Sequence, residues 1–189
     1  MSSFSDWQDR MLRSVWRHGD NLPDEVLEWM AELYNESGEV TQEAFCDLWT
    51  ARTFSMARAA FEVIRRSVES EMEKAITGED FCYIDYLRDQ DFGPVGRVRI
   101  KSAEVSTPDR QEVLSAMAEG VQEFVMGHYG VVWPVCDRHG FGLHVDFLHD
   151  TAVWHCAGES SDGHTVRAVD PAVPLQSTAP AGPEGAQVP

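Results

Sequence analysis

The chain has 189 residues, 43% of them apolar and six of them Trp, enough for a buried core in one domain or in a domain with a small appendage. It carries 32 acidic residues against 15 basic ones, a formal net charge of −17. Such a field repels phosphates, so nucleic acid and anionic membrane are disfavoured and a basic protein partner suits the chain better.

Residues 1–20 lack the continuous apolar stretch of a signal peptide, and no run of about 18 apolar residues is present to span a bilayer. The expected compartment is the cytoplasm, where the four Cys stay reduced and serve as ligands, nucleophiles or core residues.

Four stretches read as helices. Ser5 and Gln8 have capping-box spacing ahead of Trp7, Met11, Leu12, Val15 and Trp16, an apolar face that stops at Gly19. Pro23 suits a first helical position, and Val26, Leu27, Met30, Leu33 and Tyr34 follow until Gly38. Thr41 can cap a third stretch, which has no Gly or Pro up to Thr77 and reads either as one helix or as two with a break near Thr50–Thr53. Thr107-Pro108-Asp109 opens the fourth, with Val113, Met117, Val121, Phe124 and Val125, ending at Gly127 or Gly130. Before it, Phe81–Leu87 and Val95–Val105 look extended, with 89–94 as the turn between them. The last 19 residues hold five Pro among Ala, Gly and Gln, the composition of a disordered tail.

The expected fold is therefore α+β. A mainly helical part over 1–128 contains a β-hairpin near 81–105; a zinc-stabilised β module over 129–170 and the tail from 171 follow.

The chemistry concentrates in that module. Six of the seven His lie between His128 and His164, together with two of the Cys. Cys136 and His139 are separated by two residues and followed by Gly140, the layout of a tight knuckle whose amides can face a thiolate. Cys156 ends the short apolar stretch Ala152-Val153-Trp154-His155, and His164 closes the turn-rich run from Gly158 to Gly163. Cys136, His139, Cys156 and His164 thus form C-x2-H-x16-C-x7-H, four donors suited to a structural Zn²⁺. The first gap and the middle spacing match a zinc ribbon; the seven-residue final gap is longer than a second knuckle needs.

For the fourth position His144 follows His164, and His155 follows His144. Strand alternation keeps His155 and Cys156 off one metal, and it sets His144 and Asp146 opposite Phe141, Leu143, Val145 and Phe147. A full strand over 141–148 would leave 152–156 too short to return to the knuckle, so part of Val145–Asp150 is expected to be loop. Trp133 and Trp154 are expected in the core beside the site. Trp133-Pro134-Val135-Cys136, His139-Gly140, Val153-Trp154-His155-Cys156 and His164-Thr165-Val166 together resemble a C-terminal module of uncharacterised actinobacterial proteins. That resemblance implies metal binding at Cys136, His139 and Cys156 and no particular activity.

Other signals are weaker. Leu33–Thr41 has an EF-hand-like centre, but Leu33 and Ala44 stand where the acidic ligands belong, so a plain helical hairpin is expected. Residues 40–61, with Arg52, Arg58, Arg65 and Arg66, faintly resemble a DNA-reading helix-turn-helix, with Thr50 where Gly is favoured. A zinc-dependent hydrolase on Cys136, His139 and Cys156, with Asp146 or Asp150 as base, is a further alternative. Cys46 and Cys82 read as core, and Glu69, Glu71 and Glu73 as a solvated helix face. The leading expectation is a zinc-stabilised, non-enzymatic binding or adaptor protein with protein partners.

Overall fold

Helix α1 (Phe4–Val15) starts at a capping box two residues earlier than the sequence suggests. The Ser3 hydroxyl accepts from the Asp6 amide at 3.2 Å, and the Asp6 carboxylate accepts from the Ser3 amide at 3.3 Å. The computed structural model describes residues 3–15, 22–72, 94–159 and 162–175, and the backbone of 85–87. Trp16, Gly19, Glu73, Phe81–Ile84 with Cys82, most of the 89–94 turn, and the tail from 176 onward lie outside the described residues.

Pro23 stands directly before α2 (Asp24–Ser37), whose exit is Gly38 at φ 71°, with its amide donating to Tyr34 O at 2.9 Å. α3 (Gln42–Met72) follows at once, capped by Thr41 through the Ala44 amide at 3.2 Å. The EF-hand-like stretch is thus a helical hairpin. α3 is one unbroken helix of 31 residues, about 46 Å long at 1.5 Å per residue. The break considered near Thr50–Thr53 is absent, because both hydroxyls turn back onto the helix. Thr50 Oγ1 donates to Cys46 O at 2.7 Å and Thr53 Oγ1 to Trp49 O at 3.0 Å. No turn is left there for a DNA-reading motif.

The expected single strand over 95–105 is instead a hairpin. β2 (Arg97–Ile100) pairs with β3 (Ala103–Val105) around Lys101 at φ 54°, and β1 (Asp85–Leu87) pairs with the other side of β2. The result is a three-stranded antiparallel sheet where a strand pair was expected. Val98 and Ile100 are buried, and Arg97 and Arg99 are half-buried on the other face.

Asp109 caps α4 (Arg110–Tyr129), accepting from the Gln111 and Glu112 amides at 2.7 and 2.8 Å. A second three-stranded antiparallel sheet comprises β4 (His144–Leu148), β5 (Thr151–Cys156) and β6 (His164–Ala168), in that order. The architecture is α+β.

Two apolar clusters divide the length of α3. Trp7, Met11, Val26, Met30, Phe45 and Trp49 join α1 and α2 to its first half. Its second half shares a core with α4 and both sheets, including Ile64, Val68, Val98, Ile100, Val121, Trp133, Leu143 and Trp154. Buried residues occur around most of α4, well beyond the Val113, Met117, Val121, Phe124 and Val125 face that the sequence marks. Gly120 is where α4 meets β2: a Cβ there would lie 2.3 Å from Ile100 Cγ2.

Candidate metal centre

The knuckle is a miniature hairpin. Cys136 N donates to Phe141 O at 2.8 Å, Leu143 N to Pro134 O at 2.9 Å, and Gly140 N to Cys136 O at 2.7 Å. Gly140 has φ 69°, a left-handed conformation that explains a glycine directly after His139. α4 holds this hairpin from behind, as Gln122 Nε2 donates to Trp133 O at 3.0 Å and to Leu143 O at 2.6 Å.

Within Val145–Asp150, part of which is expected to be loop, only His149 and Asp150 leave the strands. β4 pairs along its full length with β5, from His144 opposite His155 to Leu148 opposite Thr151. His149 and Asp150, at φ 45° and 59°, form a two-residue turn. The turn is so short that β5 extends one residue past His144, which brings Cys156 level with Leu143 and hence beside the knuckle. Cys156 is in turn directly opposite His164 on β6, so the two side chains share one face of the sheet.

Cys136, His139, Cys156 and His164 therefore converge, with one donor atom from each within 4.8 Å of the others. Cys136 Sγ lies 3.9 Å from His139 Nδ1 and 3.7 Å from His164 Nε2, and Cys156 Sγ lies 3.2 Å from His139 Nδ1. Both thiols are buried and both imidazoles are half-buried. A two-thiol, two-imidazole cluster of these dimensions can hold a metal ion.

The two thiols sit in different environments. Burial works to raise the Cys136 thiol, but the His139 and Arg138 amides, then the Cys156 thiol, outweigh it and hold its pKa below the ordinary thiol value. Burial pushes the Cys156 thiol up; the Gly158 amide only partly opposes it, and Cys136 and the Asp162 charge add to the rise. The knuckle amides thus aim at Cys136, as its spacing predicts.

The other histidines are elsewhere. His144 and His155 face each other across β4 and β5, off the Cys156 face, as alternation requires. His128 stacks on Phe124 with centroids 5.1 Å apart, and His149 forms the hairpin turn. The two acids considered as catalytic bases are also remote. Asp146 pairs with Val153, about 10 Å along β5 from Cys156, and Asp150 is about 20 Å away at the far end of the hairpin. Trp133 and Trp154 are both buried and pack edge to face with centroids 5.4 Å apart.

Three residues of this region escape sequence reasoning. Glu71 is more than part of a solvated face, because its carboxylate accepts from Trp133 Nε1 at 2.9 Å and pairs with Arg167 of β6. Gln122 of α4 belongs to no motif in the sequence. Asp162 approaches both histidines: its Oδ2 is 3.0 Å from His139 Nε2 and its backbone oxygen 3.2 Å from His164 Nδ1. An acid two residues before a candidate histidine ligand is the one sequence signal that marks it.

Among the described residues no helix is long and apolar enough to cross a membrane. Comparison with protein-family models, with curated proteins and with solved structures finds no match to the chain.

Proposed function

We propose that this chain is a non-enzymatic binding protein whose second sheet is held by a structural zinc ion on Cys136, His139, Cys156 and His164. The carrying observation is the convergence of four protein donors from three separate segments. Four donors around one tetrahedral zinc, at its usual bonds to sulfur and nitrogen, stand about 3.4–3.8 Å apart. Three sulfur–nitrogen separations, 3.2, 3.7 and 3.9 Å, lie close to that range, and all four donors lie within 4.8 Å of one another. Two thiolates with two imidazoles favour zinc over calcium or magnesium, which prefer oxygen.

A structural role fits better than a catalytic one. Catalytic zinc keeps a position open for water or substrate, whereas four protein donors fill a tetrahedral shell. Asp146 and Asp150, the two acids weighed as a base, are carried to the far side and to the far end of the hairpin. In such a site the binding free energy of the metal is folding free energy. A knuckle and a β-hairpin closed by zinc against α3 and α4 form a rigid frame.

The partner we propose is a protein with a basic surface, since the chain's −17 charge favours encounter with positive charge and opposes encounter with nucleic acid. Arg65, one of the four arginines of the weak DNA-reading alternative, is engaged by Glu62 and Glu69 on its own helix. Cobalt substitution tests the coordination. A closed site gives the visible bands of tetrahedral thiolate-bound Co²⁺ and leaves them unchanged on adding azide or cyanide. Bands that shift with added anion would point to an open position and to the hydrolase reading.

A further inference from the structure

We infer that Asp162 is a positioning residue of this centre, selecting which ring nitrogen of His139 faces the metal. The inference rests on the metal reading above and adds a residue outside the ligand set.

An imidazole ligates through one nitrogen, and whatever accepts a hydrogen bond from the other fixes the tautomer and the ring plane. Here the two histidines use different nitrogens. Nδ1 of His139 faces Cys156 Sγ at 3.2 Å and Cys136 Sγ at 3.9 Å, while its Nε2 is turned away, 3.0 Å from Asp162 Oδ2. Nε2 of His164 faces Cys136 Sγ at 3.7 Å, while its Nδ1 lies 3.2 Å from the backbone oxygen of Asp162. One residue therefore meets the outer nitrogen of both rings, by its side chain in one case and by its backbone in the other.

The chain is built to place it there. Asp162 lies two residues before His164, in the connection between β5 and β6, and its carboxylate also meets Arg138 at 2.9 Å. Arg138 is the neighbour of His139 in the knuckle, so one carboxylate oxygen joins the β5–β6 connection to the knuckle beside the site. Gly158 helps the connection to fold back: it has φ 65°, and a Cβ there would lie 2.5 Å from the Asp162 backbone. With Nδ1 of His139 on the metal, its Nε2–H donates to Asp162 Oδ2. The carboxylate makes the ring a stronger donor to the metal and holds it in plane.

The two routes make separable demands. Asp162→Ala removes the acceptor for His139 and leaves the backbone acceptor for His164. The side chain is half exposed, so its loss leaves no cavity in the core. The experiment uses the full chain, loaded with one equivalent of Zn²⁺ and titrated with a chromogenic chelator, with long-range ¹H–¹⁵N spectra assigning each imidazole. The expected result is a loss of affinity of about 10–100-fold in Asp162→Ala, the usual effect of deleting an outer partner. The spectra should show His139 protonated at Nε2 in the parent and a broadened or changed His139 signal in the variant, with His164 unmoved. Asp162→Asn, which keeps an acceptor oxygen, should recover most of the affinity. Equal affinity and an unchanged His139 pattern in Asp162→Ala would overturn the inference while leaving the metal site standing. Failure of the parent chain to bind Zn²⁺ would instead overturn the underlying reading.

Discussion

Glu71, in the last turn of α3, accepts a hydrogen bond from the indole of Trp133, three residues before Cys136. The same carboxylate pairs with Arg167 on β6, so one side chain of the long helix ties down both edges of the candidate metal module. Trp133 is almost wholly buried, and among the described residues its N–H donates to Glu71 alone.

Removing that acceptor strands a buried donor. Glu71→Ala is expected to cost about 1–3 kcal/mol in a denaturant titration followed by tryptophan fluorescence. Glu71→Gln keeps an oxygen for the indole and loses only a partly exposed ion pair, worth about 0–1 kcal/mol. Equal losses in the two variants would contradict this division of labour.

A second buried polar link joins α3 to the first sheet. Thr50 Oγ1 donates to Cys46 O at 2.7 Å and accepts from the Gly96 amide at 2.9 Å. Thr50→Val fills the same space but leaves the Gly96 N–H unpaired, an expected loss of about 1–3 kcal/mol. Thr50→Ser keeps both bonds and should lose no more than about 1 kcal/mol for the missing methyl group. Equilibrium unfolding in urea separates the two.

Two glycines of α4 should respond to alanine with opposite signs. At Gly120 a Cβ meets Ile100 Cγ2 at 2.3 Å and Ile100 O at 2.6 Å, and the second of these is backbone that cannot rotate away. Overpacking of about 1–3 kcal/mol should exceed the helix-propensity gain, so Gly120→Ala is expected to lower the melting temperature. At Gly127 nothing lies within 4 Å. Gly127→Ala should therefore stabilise the chain by up to about 1 kcal/mol.

The four helices were legible because each carries its own period and its own stops: Pro23 and Gly38 around α2, Thr41 before α3, Asp109 and Gly130 around α4. Less legible was whatever depends on a partner distant in sequence. Thr50 and Thr53 look like a helix break until their hydroxyls are seen bonding to carbonyls four residues back. Lys101 carries none of the glycine that usually marks a left-handed turn, so β2 and β3 read as one strand; His149-Asp150 lacks it too, so the sequence leaves the loop within Val145–Asp150 without a definite place. The four candidate ligands were found because spacing and strand parity act locally. Glu71 escapes the sequence because a carboxylate in an acidic chain gives no sign of what it will face, and Asp162 is marked only by its place two residues before His164.

The central claim is tested most directly by the metal content of the full chain purified without chelators, measured together with its thermal unfolding before and after chelation. The account predicts close to one zinc per chain, a lowered melting temperature once the metal is stripped, and the same loss in Cys136→Ser. Well under one zinc per chain, with unfolding indifferent to chelator and to Cys136→Ser, would contradict it.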